Sequence, residues 1–61
     1  MSKIVVLLSI LKEILGESKY NEFLTFYDVT TVGGYLLTKG KKVILRSNDM
    51  YDIIEYVYKN F

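Results

Sequence analysis

From Lys3 to Leu15 the apolar residues return with helical spacing. Ile4, Leu7, Leu8, Ile10, Leu11, Ile14 and Leu15 fall on one arc when stepped at about 100° per residue, with Ser9, Lys12 and Glu13 opposite. This predicts a first helix with Ser2 as its N-cap and Gly16 as the residue that ends it. Val5 and Val6 lie off the arc, toward the polar side; either something else covers them or they mark a stretch of strand.

Beyond Gly16 two periods overlap. Tyr20, Phe23, Leu24 and Tyr27 recur at i, i+3, i+4 and i+7, a helical spacing that Ser18 is placed to cap. The run from Thr25 to Val32 is instead dense in β-branched and aromatic residues, which suit a pleated, half-buried surface. Both signals are met by a helical turn to about Leu24 followed by a strand to Val32.

Gly33-Gly34 then reads as a two-residue hairpin turn, because such turns need φ > 0 where glycine meets no steric penalty. Tyr35 to Thr38 follows as the second strand, Lys39-Gly40-Lys41-Lys42 as another tight connection, and Val43 to Arg46 as the third strand. Ser47 or Asn48 would cap a last helix, Asp49 would favour its N-terminal dipole, and Met50, Ile53, Ile54, Val57 and Phe61 would form its buried stripe. Glu55 and Lys59 stand at i, i+4 on that helix. The fold class is α+β: a small two-layer domain over residues 1–61, with an N-terminal helix, a three-stranded antiparallel meander and a C-terminal helix.

Two-residue turns would put Tyr27, Val29, Leu36, Val43 and Leu45 on one sheet face and Val32, Tyr35, Leu37, Ile44 and Arg46 on the other. Both faces are apolar, and the helices of one short chain cover only one. The second face, with Val32, Tyr35, Leu37 and Ile44, is therefore a candidate partner surface, and a one-residue slip in either turn would exchange the assignments.

Composition narrows the chemistry. The 61 residues contain no His, Cys, Trp or Pro, so disulfides and a structural zinc site are excluded. Serine and threonine nucleophiles have no histidine to activate them, and Gly33-Gly34 lacks the spacing and following helix of a phosphate loop. Asp49, Asp52 and Glu55 stand three apart on the last helix, where a solvated acidic face accounts for them better than a cation site drawn from a single element. The expectation is a non-enzyme that carries no cofactor or metal.

The longest apolar run, Ile4 to Leu8 and on through Leu11, falls far short of the roughly 20 residues of a membrane span, and no leader cleavage pattern follows it. A cytoplasmic location is expected, with no membrane partner. Met1 at the start and a helix ending at Phe61 are what a whole protein would show.

Two surface features point to partners. Six tyrosines and three phenylalanines make 15% of the chain aromatic, and tyrosine suits interfaces because it buries area while its hydroxyl stays satisfied. Tyr51 and Tyr58 share one flank of the last helix, outside its apolar stripe. A domain this short buries only about 60% of its unfolded surface, so self-association would help it. The net charge is +1, yet Lys39, Lys41, Lys42 and Arg46 occur with no acid between residues 29 and 48. The favoured reading is a protein-interaction module, a homodimer, acting as an inhibitor or adaptor of the kind viruses and mobile elements make. Its site would be Val32, Tyr35, Leu37, Ile44, Tyr51 and Tyr58. The alternative is a nucleic-acid-binding protein using Lys39, Lys41, Lys42 and Arg46 on a basic hairpin.

Overall fold

Each end of the first helix is set by one small residue. In the computed structural model, which describes residues 2–61 and leaves Met1 outside them, helix α1 runs Lys3–Leu15 and the Ser2 hydroxyl accepts the Val5 N–H at 3.4 Å. Gly16 closes α1, its N–H donating to the Lys12 carbonyl, and also opens helix α2, Glu17–Phe26. At φ 83°, ψ 164° it occupies backbone space that only glycine enters without strain, which lets two helices meet with a single residue between them.

Helix α2 is longer than its sequence suggests. Gly16, not Ser18, holds the N-cap position, and the helix continues through Thr25 and Phe26 before Tyr27 turns extended. Strand β1 is thereby confined to Asp28–Thr30. β-branched residues disfavour a helix by only tenths of a kcal/mol each, less than is gained when Phe23, fully buried, locks this helix to the core.

Strands β2, Tyr35–Lys39, and β3, Lys42–Ser47, complete an antiparallel sheet in the order β1-β2-β3, and helix α3, Met50–Asn60, follows. Asp49, rather than Ser47 or Asn48, is the α3 N-cap, its Oδ1 accepting the Tyr51 N–H at 2.9 Å. Ser47 braces the corner: its hydroxyl accepts the Asp49 N–H and donates to Asp52 Oδ2.

Register decides which residues face inward. Val29 pairs with Leu37 and Thr30 with Leu36, so Thr31 to Gly34 form a wider connection than a two-residue Gly33-Gly34 turn. In the second hairpin Lys39 pairs with Lys42 as two-residue spacing requires, but an irregularity beyond Thr38 shifts the ladder so that Leu37 pairs with Leu45. Each one-residue slip exchanges faces. The inward face therefore carries Val29, Tyr35, Leu37 and Leu45, drawn from both predicted sets.

The core is Leu7 and Leu11 of α1, Phe23 of α2, Val29, Tyr35 and Leu37 of the sheet, and Ile53, Ile54 and Val57 of α3. Met50 and Phe61 of the predicted α3 stripe are partly buried against it. The rings of Tyr20, Phe23, Tyr27 and Phe61 form a cluster with centroids 5.7 to 6.4 Å apart, tying α2 to the end of α3. Helix α1 packs chiefly on α2 and α3, and its far side meets solvent. No helix among the described residues is long and apolar enough to cross a membrane.

Candidate protein-docking face

Along the α1–α3 seam, Ile14 of α1 and Tyr51, Ile54, Glu55 and Tyr58 of α3 line an open groove of about 550 Å³. Burying Ile53, Ile54 and Val57 fixes the roll of α3 and so projects Tyr51 and Tyr58, seven residues and two turns apart, along the same edge. The two rings are 62% and 64% exposed, while Ile54 forms the buried floor. Glu55 is the one charged residue of the lining, and its carboxylate is turned to Lys59 at 2.7 Å. The surface presented is mainly apolar and aromatic.

Of the predicted interaction residues, Tyr51 and Tyr58 stand together at this groove. The sheet-face group does not assemble. Leu37 is fully buried and Tyr35 is 7% exposed, both inside the core because of the register shifts. Ile44 is partly buried against the core, and Val32 projects alone from the β1–β2 connection at 82% exposure. Ile14, on the apolar arc of the first helix, is 40% exposed where it lines the groove. Val5 and Val6 are helical and exposed.

Compared with protein-family models, with curated proteins and with solved structures, the chain matches none.

The acids of α3 have separate local partners. Asp49 caps the helix, Asp52 receives the Ser47 hydroxyl and Glu55 pairs with Lys59. No group of three or more such side chains among the described residues is placed to hold a metal ion.

The basic residues divide. Lys39 and Lys42 face each other across the last rung of the β2–β3 hairpin, with Lys41 in the turn between them. Arg46 pairs with Leu36 four residues further along β3, roughly 13 Å away at strand rise. Lys39 Nζ sits 5.8 Å from the centre of the Phe26 ring, a cation–π distance, and Glu22 lines the same hollow. The hairpin end is a three-lysine cluster beside an exposed phenylalanine.

Proposed function

We propose that this chain is a small non-catalytic protein-interaction module that docks another polypeptide on its α1–α3 face. The observation that carries the reading is the pair of exposed rings, Tyr51 and Tyr58, flanking an apolar groove floored by Ile54. Large aromatics around a desolvatable pocket are where binding energy concentrates in protein interfaces. Scattered exposed apolar residues need no partner, whereas a grouped set does. Such a module works by occupancy, covering a surface of a larger macromolecule as an inhibitor or adaptor does.

The test is capture by tagged bait from nuclease-treated extract of cells that also express the untagged chain. A polypeptide held by the wild type and lost from a folded Tyr51→Ser, Tyr58→Ser variant supports the reading; equal retention by both baits overturns it.

Nucleic-acid binding is the second reading, favoured by Lys39, Lys41 and Lys42 at one hairpin end. Its signature is capture that disappears with nuclease and with added salt.

A further inference from the structure

We infer that the α1–α3 face is covered by a second copy of this chain, with the two α1 helices packed antiparallel about a two-fold axis level with Leu8. The inference rests on the docking reading above and names its occupant.

The border between the buried and exposed sides of α1 carries the argument. Lys3, Val6, Ile10 and Glu13 follow each other at i, i+3, i+7 and i+10, the spacing of a helix–helix seam. Val6 is 37% exposed, Ile10 packs against the core at the edge of the apolar arc and keeps part of its surface open, and Lys3 and Glu13 are exposed with no ion-pair partner among the described residues. The stripe is symmetric about position 8 in place and antisymmetric in charge. An antiparallel second copy therefore sets Lys3 against the partner's Glu13, and Val6 against the partner's Ile10, on both sides of the axis at once. A parallel copy would set lysine on lysine and glutamate on glutamate. The pattern selects an isologous pairing, which closes at two copies.

Size extends the contact onto α3. A stable interface covers roughly 800 Å² of each partner, close to a fifth of the 4317 Å² surface of this chain. Two apolar residues on one helix do not reach that. Ile14, four residues beyond Ile10, lines the groove that Tyr51 and Tyr58 flank, and the same register sets it opposite the partner's Ser2, so the N-terminal end of the partner's α1 reaches the margin of that groove. The outward sheet face and the basic hairpin of both copies stay open for a larger partner.

Sedimentation equilibrium on the full chain up to about 1 mM, the weak end of measurable association, tests this. A dimer is expected. Lys3→Glu alone or Glu13→Lys alone should weaken it about five- to tenfold, since each sets two like pairs in contact, and the double exchange should restore it. Val6→Glu should weaken it further, and circular dichroism checks that every variant keeps its fold. A monomer at every concentration overturns the second copy, while the docking reading survives if Tyr51- and Tyr58-dependent capture of a different protein persists. A dimer indifferent to Val6→Glu and to both charge changes overturns the antiparallel seam. Capture and dimer both unchanged by Tyr51→Ser, Tyr58→Ser overturn the docking reading itself.

Discussion

The ring of Phe61 meets the ring of Phe23 edge-on, centroids 6.4 Å apart and planes at 80°. Tyr27 contacts both rings, at 5.7 and 5.9 Å, and Lys19 Nζ donates to the Phe61 carbonyl at 3.2 Å. The last residue of the chain thus fastens α3 to α2. Phe61→Ala removes a partly buried ring and two edge-on contacts, and should cost about 2 kcal/mol. At this size that lowers Tm by roughly 8 to 16 °C. Leu24→Ala, on the exposed side of α2, should change Tm little. Thermal unfolding followed by circular dichroism measures both.

Gly34 is fixed by close approach. Its φ is 123°, and a Cβ there would lie 2.6 Å from Asn48 Oδ1 and 3.0 Å from the Ser47 carbonyl oxygen. The side-chain oxygen can turn away, but the backbone oxygen can do so only by moving β3. Gly34→Ala should cost about 2 to 3 kcal/mol. Adding Asn48→Ala should recover only part of that, because the Ser47 carbonyl remains. Gly33, with open space around its Cβ direction and φ 63°, should tolerate alanine at about 1 kcal/mol. Urea titrations of the four proteins rank these costs.

The start of α3 depends on a relay from Ser47 to Asp49 and Asp52. Asp49→Ala leaves the Tyr51 N–H without its side-chain acceptor, and should cost about 1 kcal/mol. Ser47→Ala removes both the acceptor of the Asp49 N–H and the donor to Asp52. Because the groups are solvent-exposed, water replaces part of what is lost, and the two substitutions together should cost less than their sum. A double-mutant cycle in urea reads that coupling directly.

Leu37 sits at the centre of the sheet with no exposed surface. Leu37→Ala should cost about 2 to 5 kcal/mol, against a total of roughly 3 to 9 kcal/mol for a domain of this length. The variant should be largely unfolded near 40 °C, with far-UV circular dichroism as the measurement. Tyr35→Ala should fall in the same class, so any binding it abolishes reports on folding.

What could be read from the chain separates along the same line. The helical stripes of α1 and α3 were legible because several apolar residues repeat at one period, and the Tyr51–Tyr58 edge followed from that repeat. The inward sheet face was not. Tyr35-Leu36-Leu37 and Val43-Ile44-Leu45 are apolar on both parities, so alternation carries no register, and single-residue slips at the first connection and beyond Thr38 reassigned the faces. The end of α2 was masked by Thr25 and Phe26, whose strand preference is weaker than the packing of Phe23. Ile14 shares the apolar arc of α1 yet stands half open at the groove, because spacing along one helix holds no information about where its neighbour stops.

The hairpin lysines make the last prediction. Lys41→Glu with Lys42→Glu reverses two exposed charges in and beside a turn whose backbone pairing they do not determine. Stability should therefore move by less than about 0.5 kcal/mol. The α1–α3 face lies on other elements, so self-association and Tyr51-dependent capture should persist unchanged in the double variant. Any nucleic-acid affinity should instead fall steeply, and its dependence on the logarithm of salt concentration should flatten by close to two phosphate contacts. Fluorescence anisotropy with a short labelled oligonucleotide at two salt concentrations, run beside sedimentation of the same samples, separates the surfaces. Loss of the dimer with the lysine charges would place self-association on the hairpin rather than on α1.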